Sequence, residues 1–282
     1  MKLLRFGPVG CERPGILDSE GNIRDLSGHI GDISRDTLSA VGLQRLRELD
    51  IETLPVITGN PRLGPCVGAV SKLIGVGLNY SDHAKECGLA IPADPIIFSK
   101  AISSISGPND DVIIPKGSTK VDWEIELGIV IGRRAQYVSQ DAAFDYVAGY
   151  CIVNDVSERE LQIERSGGQW DKGKGCDTFG PIGPWMVTKD EIPDPQNLAM
   201  ALTVNGESRQ NGNTKTMIFG VRQLVADISS WMTLEPGDII CTGTPPGVAM
   251  GMNPPAWLKP GDEMSLSIAG LGTQRQNVVA YA

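Results

Sequence analysis

This 282-residue chain predicts a β-rich α+β fold, in which a small N-terminal α/β unit precedes a larger body, and three observations carry that expectation. Apolar runs of strand length recur near residues 72–78, 95–98, 111–114, 123–131, 147–153, 185–188, 199–204, 238–242 and 264–268, punctuated by 34 glycines and 19 prolines. Helical periodicity is sparse, so regular βαβ winding is not the pattern. The segment Thr58-Gly59-Asn60-Pro61-Arg62-Leu63-Gly64-Pro65 is a cluster of chain breakers that reads as a linker, dividing residues 1–66 from a body of residues 67–282.

The first unit reads as strands near 2–6 and 13–18, a turn at Glu20-Gly21-Asn22, and a helical stretch near 35–49. In the body, Ser81 to Gly88 reads as one short helix stopped by glycine. A second short helix is expected from Ser157, whose hydroxyl would cap it while Glu160 reaches back three residues later. The longest helix is predicted over 217–232, where Ile218, Val221, Leu224, Val225, Ile228 and Trp231 form a core-facing stripe ahead of Glu235-Pro236-Gly237-Asp238.

Composition narrows the function. A net charge of −9, with 34 acidic against 25 basic residues and no basic block, argues against a nucleic-acid partner, because phosphate binding relies on clustered cations. No apolar run approaches the roughly 20 residues that span a bilayer, and Met1-Lys2-Leu3-Leu4-Arg5-Phe6-Gly7-Pro8 lacks the apolar core of a signal peptide. A cytoplasmic setting with no membrane partner is expected. Cys11, Cys66, Cys87, Cys151, Cys176 and Cys241 include no C-x-x-C pair, which suits reduced thiols. With His29 and His83 the only two histidines, a hard cation on oxygen ligands, Mg²⁺ or Mn²⁺, is a better expectation than zinc.

Glu124 and Glu126 stand two apart among β-branched and aromatic neighbours, so a strand puts both carboxylates on one face. Read alone, the pair suits either a solvated strand face or two ligands of a hard metal. Asp155, at the end of the apolar run 147–153, offers a third carboxylate or a plain turn residue. Three carboxylates brought together repel unless a cation holds them. His83 and Glu86, at i, i+3, form either a surface contact or a dyad able to take a proton from water. Gly168-Gln169-Trp170-Asp171-Lys172-Gly173-Lys174-Gly175 falls short of a nucleotide loop, since Gly175 replaces the Ser/Thr. Beside a metal, a lysine there would neutralise an anionic substrate or a developing enolate. Gly75-Val76-Gly77-Leu78 lacks the third glycine of a dinucleotide fingerprint. Thr242-Gly243-Thr244-Pro245-Pro246-Gly247 is a strand running into a rigid turn whose N–H groups and Thr244 hydroxyl could hold a carboxylate.

In chain order, Gly77-Leu78-Asn79-Tyr80-Ser81-Asp82-His83-Ala84-Lys85-Glu86, Trp123-Glu124-Ile125-Glu126-Leu127, Asn154-Asp155-Val156-Ser157-Glu158-Arg159, Lys174 with Asp177-Thr178-Phe179-Gly180-Pro181-Ile182-Gly183-Pro184, and Thr242-Gly243-Thr244-Pro245-Pro246-Gly247 resemble the fumarylacetoacetate hydrolase family. The resemblance covers roughly residues 70–282. It implies a mixed β-sandwich roll, a homodimer, and Mg²⁺ or Mn²⁺ on Glu124, Glu126 and Asp155. It further implies a small 2-oxo acid substrate, with Lys174 stabilising an enolate, Gly243 and Thr244 holding the substrate's acid group, and His83 with Glu86 activating water. The N-terminal unit looks like the subgroup often labelled ureidoglycolate lyase, other members of which resemble hydrolases of 2,4-diketo-3-deoxy sugar acids such as those from rhamnonate or fuconate. The implied reaction is hydrolysis of the C3–C4 bond of such a diketo acid to pyruvate and a carboxylic acid. Oxaloacetate decarboxylation or ureidoglycolate lysis on the same metal is the alternative, and a non-catalytic metal- or ligand-binding protein a third reading.

Overall fold

A computed structural model of the chain describes residues 1–86, 88 and 90–282, so the expected thiol of Cys87 lies outside the described residues, and the helix expected from Ser81 to Gly88 is seen over Ser81–Glu86. The architecture is β-rich with mixed sheets, as the sequence predicts. The large sheet runs Ile23–Asp25, Arg13–Leu17, Lys2–Phe6, Gly180–Thr188, Val147–Asn154, Ile125–Ile131, Ile239–Cys241, Leu73–Gly77, Ile96–Lys100. Most neighbours are antiparallel, but Ile239–Cys241 lies parallel to Leu73–Gly77. A second sheet orders Glu207–Asn213, Ala199–Val204, Glu263–Ile268, Gly272–Ala280 and Val112–Ile114.

Period-two alternation sorts the large sheet's side chains into two apolar layers. Ile125, Leu127 and Ile129 pack with Met200, Leu202 and Leu266 of the second sheet and with the helix Val221–Ser229. Val130, Cys151 and Val153 point the other way, onto Leu3, Ile16 and the helices Arg35–Leu38 and Ala40–Arg47. Strands buried on both faces read as continuous apolar runs, which is why Ile125–Ile131 and Val147–Asn154 were visible in the sequence. The first 66 residues share this sheet, because Lys2–Phe6 pairs with Gly180–Thr188. Cys66 and Val67 are both buried in the same layer, so packing runs unbroken across that boundary.

Several local expectations are corrected. The helical stretch near 35–49 breaks at Ser39, whose backbone is extended and whose hydroxyl accepts from Gly42 N–H at 3.0 Å. The helix expected over 217–232 spans only Val221–Ser229. Its first turn is lost because the N–H groups of Ile218 and Phe219 are given to Asn79 instead. Trp231, assigned to the core stripe, is 55% exposed. No capping box forms at Ser157, since residues 157–158 pair as a strand with Val121–Asp122 and the Ser157 hydroxyl donates to the Asp155 carbonyl. The turn begins later, as the π-helical Glu160–Glu164, with Glu158 accepting from Leu161 N–H at 2.6 Å. The strand Glu207–Asn213 is too polar for an apolar-run reading to find. Among the described residues, no helix is long and apolar enough to cross a membrane, and five cysteines carry free thiols.

Candidate metal centre and active site

Strand register brings the three carboxylates together. Ile125–Ile131 pairs antiparallel with Val147–Asn154 so that Ile125 faces Asn154, and one step further the Asp155 N–H donates to the Glu124 carbonyl at 2.9 Å. Glu124 therefore sits across from Asp155, and the strand period adds Glu126 to the same face. All three are buried, with ligand oxygens within 4.8 Å of one another. Glu126 is 1% exposed, so the solvated-face reading of this pair fails.

The short helix Asp171–Lys174 delivers Lys174, buried, to the cluster. Its Nζ lies 2.8 Å from Glu124 Oε2 and 2.7 Å from Asp155 Oδ2. Burial alone would lower its pKa, but the Asp155 and Glu124 carboxylates raise it, so the ammonium is held charged. Burial likewise pushes the Glu124 carboxyl up, and Lys174 with Arg159 overcomes this to hold it well below the usual carboxylate range. Glu126 goes the other way. Burial, then repulsion by Asp155 and Glu124, drives its carboxyl well above the ordinary value, with Lys174 and the Gly243 N–H, at 2.8 Å, as counterweights.

Three buried residues extend the site beyond those singled out in the sequence. Arg159 donates to Glu124 Oε1 at 2.7 Å, to Asp122 Oδ2 at 2.9 Å and to Gln162 Oε1 at 2.8 Å, fixing the ligand's orientation. Asp122 also accepts from the N–H groups of Ala249 and Met250, at 2.7 and 3.1 Å. Lys100 Nζ lies 2.6 Å from Asp155 Oδ1, off that oxygen's hydrogen-bonding directions, and donates to the Val156 and Lys174 carbonyls. Lys100 ends an apolar run and Asp122 opens another, positions that read as solvated flanks. Arg159 lies in a quoted motif with nothing local to reveal its burial.

These residues fit a hard divalent cation. Glu124, Glu126 and Asp155 crowd their carboxylates within 4.8 Å of one another, a repulsion that a cation would relieve, and Asp155 Oδ1 has no hydrogen-bond partner. An all-oxygen donor set of carboxylates suits Mg²⁺ or Mn²⁺ rather than zinc.

A cavity of about 430 Å³ opens over the cluster, lined by Glu124, Glu126 and Lys174 and also by His83 and Glu86. His83 Nδ1 lies 3.0 Å from Glu86 Oε2, and Glu86 Oε1 accepts from Gly247 N–H at 3.0 Å. A carboxylate at Glu86 would accept Nδ1–H and so orient the imidazole. Thr244 lines the cavity, its hydroxyl donating to the Ile125 carbonyl at 2.9 Å and accepting from Gln210 at 2.7 Å. Gly243 adopts φ +91°, a left-handed conformation open to glycine, and turns its N–H onto Glu126 rather than into the cavity.

A β-rich roll carrying an acidic triad, a buried lysine and a His–Glu pair defines a metal-site enzyme class. The chain belongs to the fumarylacetoacetate (FAA) hydrolase C-terminal family, whose model matches residues 72–279. A protein of Burkholderia multivorans that bears a provisional hydrolase name is 63% identical over 277 residues, 98% of both chains. Among solved structures, fumarylacetoacetate hydrolase from Exiguobacterium antarcticum is 37% identical with a TM-score of 0.89, each chain covered in full. Maleylpyruvate hydrolase from Sphingobium sp. SYK-6, in complex with manganese(II) and pyruvate, is 30% identical with a TM-score of 0.83, again over 100% of both chains. A 2-hydroxyhepta-2,4-diene-1,7-dioate isomerase from Mycobacterium marinum is 36% identical with a TM-score of 0.75, covering 100% of this chain and 99% of that one.

Proposed function

We propose that the protein is a hydrolase dependent on Mg²⁺ or Mn²⁺ that cleaves the C3–C4 bond of a small 2,4-dioxo acid, giving pyruvate and a carboxylic acid. The observation that carries this is that Glu124, Glu126 and Lys174 line the same cavity as the His83–Glu86 pair. Glu124, Glu126 and Asp155 would hold the cation, which supplies positive charge to polarise the substrate's 2-oxo carboxylate head. His83, oriented by Glu86, takes a proton from the water that adds to C4. The C3–C4 bond then breaks, its electron pair passing to C3, and the proton returns to C3 to complete pyruvate. Lys174 adds a fixed ammonium beside the developing enolate oxygen. Thr244 borders the site, and Gly243 acts on it through Glu126. The resemblance adds a homodimer, which light scattering on the purified protein tests directly.

The test is a panel of acylpyruvates, oxaloacetate and ureidoglycolate assayed with Mg²⁺ or Mn²⁺ in ¹⁸O-labelled water. Label in the released carboxylic acid, and a loss of about 10²–10⁴ in kcat on His83→Ala, are expected. Equal turnover by His83→Ala on the best substrate excludes attack by dyad-activated water. A second reading, enol–keto isomerisation, is favoured by the isomerase among the structural relatives. It predicts a new tautomer with no label and no pyruvate.

A further inference from the structure

We infer that the substrate's half beyond the 2-oxo acid head is an uncharged apolar tail, seated on a wall of Phe98 and Trp170 for which Gly75 and Gly77 make room. The inference rests on the head-group reading above. Leu73–Gly77 pairs with Ile96–Lys100 so that Gly75 faces Phe98. A Cβ on Gly75 would lie 2.1 Å from Phe98 Cζ, and one on Gly77 would lie 2.3 Å from Trp170 Cζ3. Both rings thus rest where any other residue would put a side chain. Their centroids are 5.4 Å apart, and Lys174 Nζ lies 5.1 Å from the Phe98 centroid, so the wall starts where the ligand cluster ends. Leu78, Ile163 and Met250 continue the apolar lining.

Among the described residues, the cavity's two fixed cations are already engaged by carboxylates and His83 faces Glu86, a lining poorly suited to a second carboxylate on the tail. Arg159 is spent on Asp122 and Glu124, and Lys174 on Glu124 and Asp155. The lining also includes the carboxyl group of Glu86, no partner for another carboxylate. A polyhydroxylated tail fares little better, because the carbonyl oxygen of Gln162 is taken by Arg159 and the ring faces of Phe98 and Trp170 offer its hydroxyls no conventional partner. The wall therefore departs from the sugar-acid tail that the N-terminal resemblance implies.

Binding separates head from tail without any turnover. With Mn²⁺ present, calorimetry compares 2-oxobutanoate, 2-oxohexanoate and 2-oxoadipate, the last two differing only in a terminal carboxylate. Burial of two more methylenes gives about fourfold each, so 2-oxohexanoate is expected to bind about tenfold or more tighter than 2-oxobutanoate. It should exceed 2-oxoadipate by a similar factor. Trp170→Ala should erase the advantage over 2-oxobutanoate while leaving the shorter acid within about twofold. Should that variant misfold, Ile163→Lys at a 49% exposed rim position is expected to favour 2-oxoadipate several-fold. If 2-oxobutanoate binds and 2-oxoadipate matches 2-oxohexanoate, the apolar tail is wrong and the head-group reading survives. If none of the three acids binds with metal, the head-group reading fails and takes the tail with it.

Discussion

Replacing Glu126 by glutamine should stabilise the metal-free protein while abolishing its response to metal. The three ligand carboxylates lie within 4.8 Å of one another, and a like-charge pair at that distance costs about 3.5 kcal/mol at an effective dielectric constant of about 20. Glu126 takes part in two such pairs, with Asp155 and Glu124, offset by Lys174 and the Gly243 N–H. Glutamine keeps an acceptor for that N–H and removes the charge, a net relief on the order of 1–2 kcal/mol. At about 2 °C per kcal/mol for a chain of this size, Tm without metal should rise by about 2–4 °C. The sign carries a pH signature. Because the folded carboxyl titrates above the unfolded value of 4.5, the wild-type protein loses stability as pH rises from 4.5 through the higher folded value, and the variant does not. The Tm difference should therefore vanish below pH 4.5. Metal at a hundred times its Kd adds about 2.7 kcal/mol to the wild type, roughly 5 °C, and should add nothing to Glu126→Gln. Scanning calorimetry with EDTA and with Mn²⁺ measures all four states. A variant that melts below the wild type in EDTA, or gains as much from Mn²⁺, refutes this account of the cluster.

Arg159→Met should cost about 3–5 kcal/mol in urea unfolding, because it strands the buried Asp122 and Glu124 carboxylates, and adding Asp122→Asn should recover part of the loss. At the far end of the large sheet, burial of Asp18 is outweighed by hydrogen bonds from Arg24 and Asn22, which hold its carboxyl at about 2 against an ordinary 3.8. Its contribution is present above pH 3.8 and lost as pH falls towards 2, so Asp18→Asn should lower Tm at neutral pH and converge on the wild type near pH 2.

The fold was legible wherever burial on both faces writes itself as a largely apolar run, as in Ile125–Ile131, broken only by Glu126, and Val147–Asn154, polar only at its last residue. It was hidden where polar residues form strands, as in Glu207–Asn213, whose Gln210 is fully buried against Ile125, Thr244 and Pro245. Glu124, Glu126 and Asp155 could be named because strand period and chain order are local properties. The charges opposing them were another matter. Lys100 and Arg159 are separated from their partners by 55 and 35 residues, and only sheet pairing makes them neighbours. The short helix at 157 was misread for the same reason, since Ser157 obeys a strand partner at Asp122 that no local capping rule anticipates.

Asp122 ties two properties that design would treat as separate. One oxygen accepts from Ala249 N–H, beside the cavity wall carrying Met250 and Gly251, while the other faces the guanidinium that steers Glu124. The 249–251 turn is thus not a freely exchangeable specificity loop. Grafting a different turn there to admit a new tail would leave a buried carboxylate short of two N–H donors and slacken the arginine behind the ligand. Altered substrate range and weakened metal affinity should arrive together in such grafts, unless the replacement turn presents two N–H groups in the same place.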